Sequence, residues 1–84
     1  MVTVYSIKDC PYCAELKEML INENIQFEDV DVDLEENEEE FNKIMEVAQV
    51  DKVPIIKIGS QLFVPDKSFD SIQEAFELTK RFLG

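Results

Sequence analysis

Val2-Thr3-Val4-Tyr5-Ser6-Ile7-Lys8-Asp9-Cys10-Pro11-Tyr12-Cys13 is the stretch that decides how this chain is read. Val2, Val4 and Ile7, with Thr3 and Tyr5 between them, are β-branched or aromatic, and so short a run predicts a buried first strand that stops before Cys10. Pro11 has a preset φ and no N–H to lose, which suits the first position of a helix running to about Glu23, with Asn24 as its stop. Cys13, Leu16 and Leu20, supported by Met19, recur at helical spacing and give that helix a buried face. The two cysteines therefore stand at a strand-to-helix junction, where unpaired N–H groups and the helix dipole favour a thiolate. Cys10, at the cap, is the expected attacking sulfur, and Cys13, one turn further on the core-facing stripe, the expected resolving one. Attack by Cys10 on a disulfide gives a mixed disulfide, which Cys13 breaks to release the reduced substrate.

The rest of the chain builds outward from that junction. Ile25 to Val32 reads as a second strand, with Phe27, Val30 and Val32 apolar between acids. Asn37 with Glu40 has the spacing of a capping box, and Phe41, Ile44, Met45 and Ala48 follow at i, i+3, i+4 and i+7, predicting a helix from about Glu38 to Gln49. Met45 and the phenylalanines are expected in the core. Pro54 to Ile58, Gly59-Ser60 and Gln61 to Val64 read as a hairpin, because glycine first in a two-residue loop favours a type II′ turn. Ser71 with Glu74 is a second capping box, and Ile72, Ala75, Phe76, Thr79, Phe82 and Leu83 supply a last amphipathic helix starting somewhere between Asp66 and Ser71. The order is β-α-β-α-β-β-α. The first strand-helix-strand unit calls for a right-handed crossover between parallel strands, and the hairpin adds an antiparallel edge. The expected class is α/β, with residues 1–84 as one domain.

Composition narrows the chemistry. The chain has 84 residues, two cysteines, no histidine and a formal net charge of −11. Its 45% hydrophobic content, including six phenylalanines, allows a core without staples. Without histidine, no Ser/His/Asp or Cys/His catalytic unit and no His-ligated zinc can form. Two thiols alone cannot close a tetrahedral zinc site, and a bridge across two intervening residues would constrain a secreted chain very little. Inert burial, and a metal site completed by a dimer or a borrowed ligand, are the remaining alternatives for the pair. Residues 1 to 50 carry 14 acids against three lysines, while residues 51 to 84 balance five acids with five bases. That surface repels phosphate backbones and anionic lipid heads, so neither nucleic acid nor membrane is an expected partner. The acidic run Glu35 to Glu40 reads as a solvated helix start favoured by the dipole. No apolar run approaches the roughly 20 residues that cross a bilayer, and Met1 to Tyr5 lacks the basic and long apolar regions of a secretion signal. The expected location is the cytoplasm.

Cys10-Pro11-Tyr12-Cys13 after an opening strand, together with Val53-Pro54 before the hairpin, resembles the glutaredoxins of the thioredoxin superfamily, and the resemblance spans essentially the whole chain. It implies a thioredoxin-like fold, a four-stranded mixed sheet flanked by three helices. It implies that Pro54 is cis and faces the attacking cysteine, that the backbone of Val53 pairs with the cysteinyl unit of glutathione, and that Pro11 and Tyr12 lie beside the bound thiol substrate. A cis X-Pro bond marks a tight turn, and backbone groups left free there could receive an extended peptide; a trans proline opening an edge strand is the alternative. In this fold Lys8, Lys52 and Lys67 fall in loops at the Cys10 pole, where they could hold the glycyl carboxylate of glutathione, with Asp9 opposing them. The lysines placed there make the thiol pole the expected least negative surface.

Three departures from the family pattern bear on substrate. Ile7 stands where glutaredoxins carry a basic residue three before the first cysteine. Lys52 stands where they carry threonine. Their Gly-Gly-x-Asp signature, which receives the γ-glutamyl carboxylate, is replaced by Lys67-Ser68-Phe69-Asp70 or, less favourably, by Phe63-Val64-Pro65-Asp66. The function implied is a monomeric dithiol oxidoreductase reducing protein disulfides and glutathione mixed disulfides. Glutathione is its electron-donating cosubstrate, and no cofactor or metal is tightly bound. One alternative is an electron donor, for example to ribonucleotide reductase, recharged by thioredoxin reductase. Another is an iron–sulfur-binding dimer using Cys10 of each subunit, against which Pro11 counts.

Overall fold

The computed structural model describes residues 1–84. Strand β1 (Val2–Ser6) leads into helix α1 (Pro11–Asn22), followed by β2 (Phe27–Asp31), a 3₁₀ turn (Glu35–Asn37), α2 (Glu38–Ala48), the hairpin β3 (Ile55–Ile58) and β4 (Gln61–Phe63), and α3 (Ile72–Leu83). The sheet order is β2-β1-β3-β4. β1 pairs with β2 in parallel, Val2 opposite Phe27 and Ser6 opposite Asp31. It pairs with β3 in antiparallel fashion, Val4 opposite Ile56. The mixed sheet with three helices is the architecture expected from the sequence.

Alternation along the strands divides the apolar residues between two faces. On one, Val2, Val4, Ile56 and Phe63 pack with Leu16 and Leu20 of α1 and with Ile72, Ala75 and Phe76 of α3. On the other, Tyr5, Ile55 and Val64 pack with Val32 and with Ile44 of α2. Tyr5 is 2% exposed, and its hydroxyl donates to Glu40 Oε2 at 2.6 Å, tying β1 to α2. No helix is long and apolar enough to cross a membrane.

Helix ends follow local chemistry. α1 closes in a Schellman pattern: Asn24 takes φ 57, its N–H bonds Ile21 O, and Ile25 N–H bonds Leu20 O at 2.9 Å. Ser71 caps α3 by accepting from Glu74 N–H at 3.2 Å, and the Glu74 carboxylate accepts the N–H of Asp70 at 2.9 Å, so this box is shifted by one residue. Gly59 takes φ 61 while Ser60 does not turn positive, as a type II′ hairpin requires.

The capping box at Asn37 does not form. The 3₁₀ turn leaves Asn37 in a helical conformation with no side-chain cap bond, and its amide donates to Asp31 O at 2.8 Å instead. Glu40, the other half of that box, is engaged with Tyr5. The core expectation also fails at several positions. Met45 is half-buried, as are Phe27 and Phe41, and Phe82 is 50% exposed, set edge-on to Phe63. A helix on one face of a narrow sheet cannot bury both flanks of its apolar stripe.

Candidate active site

β1 ends at Ser6, and Ile7-Lys8-Asp9 carries the chain over to Cys10. Cys10 is the N-cap of α1, with extended φ −112 and ψ 105, and its sulfur accepts the N–H of Cys13 at 3.1 Å. A thiol thus occupies the place usually held by a serine or aspartate cap. Pro11 follows at the first helical position. Cys10 is 9% exposed and lines a cavity of about 800 Å³, whereas Cys13 is fully buried and does not. Burial pushes the Cys13 thiol up to about 12, aided by its hydrogen bond with Cys10 and by the charge of Cys10, while a hydrogen bond from the Ile7 backbone and the charge of Lys17 act the other way. Both cysteines are free thiols.

The Val53-Pro54 peptide is cis, and both residues line the same cavity as Cys10. β3 is a central strand starting at Ile55, so Pro54 does not open an edge strand. Neither backbone group of Val53 takes part in a main-chain hydrogen bond within the chain. Tyr12, 65% exposed, and Pro11 form another part of the wall.

The basic residues are arranged differently from expectation. Lys52 lines the cavity but is paired with Asp66 at 2.6 Å, a hydrogen bond and attraction that raise its ammonium pKa. Lys8 does not line the cavity. Lys67 turns to the C-terminal end of α2, where it donates to Ala48 O at 2.8 Å and Gln49 O at 3.4 Å; carbonyls left over at a helix end accept a lysine's hydrogen bonds, and the dipole there favours a cation. The cavity is in fact lined by Asp9, Glu15, Asp51, Asp66 and Asp70 against Lys52 alone, so the thiol pole is not the least negative surface. Of the acids, Asp51 could have been found from its place two before Val53, and Glu15 from its place in the helix after Cys13. Asp66 depended on the fold of the β4–α3 loop.

That loop, residues 64–71, is closed on itself. Asp66 N–H bonds Phe69 O and Ser68 N–H bonds Val64 O, each at 2.9 Å, and Ser68 Oγ accepts Val64 N–H at 3.1 Å. Asp66 sits at φ 69. Asp70 lines the cavity, but its N–H is bonded to Glu74.

The glutaredoxin family model matches residues 2–63. The chain belongs to the glutaredoxin family. It is 36% identical over 66 residues to an uncharacterized glutaredoxin-like 8.6 kDa protein in the rubredoxin operon of Clostridium pasteurianum, a match covering 76% of this chain and 83% of that one. Its fold is similar to that of a glutaredoxin from Archaeoglobus fulgidus, with TM-score 0.70, 23% identity and coverage of 94% of this chain and 85% of that one. It is also similar to that of the glutaredoxin-like NrdH-redoxin from Escherichia coli, with TM-score 0.63, 22% identity and coverage of 86% and 90%. This glutaredoxin-family member is accordingly a glutaredoxin-like redox protein with a thioredoxin-like fold.

Proposed function

We propose that the protein is a dithiol–disulfide oxidoreductase that reduces protein disulfides, with Cys10 as the attacking and Cys13 as the resolving sulfur. The observation that carries this reading is the division between them: Cys10 caps the helix at the cavity wall, and Cys13 lies fully buried behind it. Cys10 thiolate attacks one sulfur of a substrate disulfide, forming a Cys10–substrate bond and expelling the other sulfur as thiolate, which takes up a proton. Cys13 then loses its proton and attacks the Cys10 sulfur, releasing the second substrate thiol. Two electrons leave the protein, and a Cys10–Cys13 disulfide remains. The unused backbone groups of Val53 would hold the substrate as an extended strand, with Tyr12 and Pro11 alongside.

For recharging, we favour a protein reductase of the thioredoxin reductase type over glutathione. The N–H groups of Asp66, Ser68 and Asp70 are already bonded within the chain, Lys67 serves α2, and Lys52 is matched by Asp66, which leaves little to receive the two carboxylates of glutathione. A thioredoxin-like activity profile in a glutaredoxin-like chain is described for the E. coli NrdH-redoxin. Reduction of ribonucleotide reductase would be one use of such electrons. Glutathione as donor and glutathione mixed disulfides as substrates form the second reading, favoured by the unbonded Val53 backbone in the same cavity as Cys10. In either reading the protein acts as a cytoplasmic monomer without a cluster or tightly bound cofactor.

Cys13→Ser is expected to trap a covalent substrate adduct on Cys10, detected by mass spectrometry, and Cys10→Ser to trap none. Equal protein-disulfide reduction by both variants would overturn the assignment. Turnover with NADPH and thioredoxin reductase, compared with turnover on glutathione and its reductase, separates the two readings.

A further inference from the structure

Resting on that function, we propose that the disulfide this site takes lies in a cationic segment, one flanked by lysine or arginine. Four carboxylates of the cavity wall, Asp9, Glu15, Asp51 and Asp70, are exposed and belong to no ion pair. The one lysine of the wall is already matched by Asp66. The cavity therefore carries four uncompensated negative charges around one entering thiol, out of the chain's −11. Clefts lined by one sign of charge concentrate partners of the other sign and raise association rates by about 10 to 10³, an effect that salt removes.

The free N–H and C=O of Val53 supply the second part of the argument. They offer main-chain pairing to an extended segment whatever its side chains, so affinity for backbone comes from Val53 and selection among segments comes from the wall. An extended strand places alternate side chains on one side at spacings of about 6.6 to 6.8 Å, so residues one and three away from the reacting cysteine reach different carboxylates. A peptide with acids at those positions meets four like charges, and charge juxtaposed in that way is what excludes wrong partners.

Two disulfide peptides of one sequence, differing only in four flanking residues that are all lysine or all glutamate, test this in single turnover with the pre-reduced protein. Each rate constant is divided by that for dithiothreitol on the same peptide, which removes the intrinsic reactivity of the disulfide. The lysine peptide is expected to react at least 10-fold faster at about 20 mM salt, the ratio falling below about 2 near 1 M, where the Debye length is about 3 Å. In the variant Asp9→Asn, Glu15→Gln, Asp51→Asn and Asp70→Asn, the low-salt ratio is expected to approach one. Removing four remote charges instead, with Glu18→Gln, Glu28→Gln, Glu36→Gln and Glu77→Gln, should leave most of it. Equal normalised rates, or equal loss in both variants, would overturn the inference while leaving the proposed function standing. Reduction of neither peptide would overturn both.

Discussion

The main-chain N–H of Cys13 donates to the sulfur of Cys10 across 3.1 Å, so the backbone of one cysteine steadies the side chain of the other. The cap depends on the Cys13 amide and not on its thiol. Cys13→Ser therefore keeps the donor that holds Cys10, and its first-step rate with a small disulfide is expected within about threefold of the native protein, since one neutral hydrogen bond contributes only about 0.5 to 1.5 kcal/mol and this one is retained. Stopped-flow thiol consumption measures it.

Reduced and oxidised protein should diverge in stability above pH 9. The folded Cys13 thiol is held near 12, against 9.0 as its ordinary value, so below pH 9 the folded and unfolded states bind this proton equally and its stabilising contribution is full. Between pH 9 and 12 the unfolded thiol ionises first and that contribution is lost, at most about 4 kcal/mol over the window. Tyr5, whose pKa burial and the Glu40 hydrogen bond push up, acts in the same direction in both redox forms. The expected result is a steeper fall in Tm with pH for the reduced form, and Cys13→Ala, which lacks this thiol, should show only the shallower fall of the oxidised native protein.

Gln49→Gly is expected to stabilise the fold by about 0.5 to 1 kcal/mol. Gln49 ends α2 at φ 56, a left-handed conformation in which a side chain is a liability, while its N–H bond to Met45 O at 2.7 Å survives the change. For a chain this size the gain corresponds to a rise of about 2 to 8 °C in Tm.

Lys17 joins three elements: its ammonium meets Asp29 Oδ2 at 3.0 Å and Ser6 Oγ at 3.4 Å, with Ser6 itself donating to Asp29 at 2.7 Å. Lys17→Met should cost about 0.5 to 1.5 kcal/mol, because Ser6 keeps its acceptor and the ion pair is partly solvated. Lys17 also favours ionisation of Cys13, so the same variant should lengthen the lifetime of the Cys10 mixed disulfide at neutral pH.

Tyr12→Ala should separate function from folding. The ring is 65% exposed, so unfolding free energy is expected to change by less than about 0.5 kcal/mol, while the second-order rate with a protein disulfide falls several-fold. A stability loss near that of a core truncation such as Leu16→Ala, about 2 to 5 kcal/mol, would contradict the solvent-facing placement.

What the sequence conveyed was mostly periodic or local. β1, the proline that opens α1, the helical recurrence of Cys13, Leu16 and Leu20 and the Ser71 cap depend on neighbours along the chain, and each is found close to its expected place. Asn37 and Glu40 have the spacing of a cap, yet each finds a partner from another element, Asp31 and Tyr5, which no local pattern encodes. The lysines show the same limit. Lys67 lies in the loop that borders the cavity, but the carbonyls of α2, 18 and 19 residues away, draw it off. The acids of the wall converge from the β1–α1 link, from α1, from the segment before β3 and from the β4–α3 loop, so their number became visible only when the fold brought them together.

The central place of β1 has a consequence for synthesis. β1 is hydrogen-bonded on both sides, to β2 and to β3, and its second neighbour lies some fifty residues later in the chain. A nascent chain can assemble the β1-α1-β2 crossover and expose its cysteines early, but the wall made by Val53, Pro54 and the β4–α3 loop is missing until Ser71 has emerged. During that interval the thiols stand without the rest of the cavity wall.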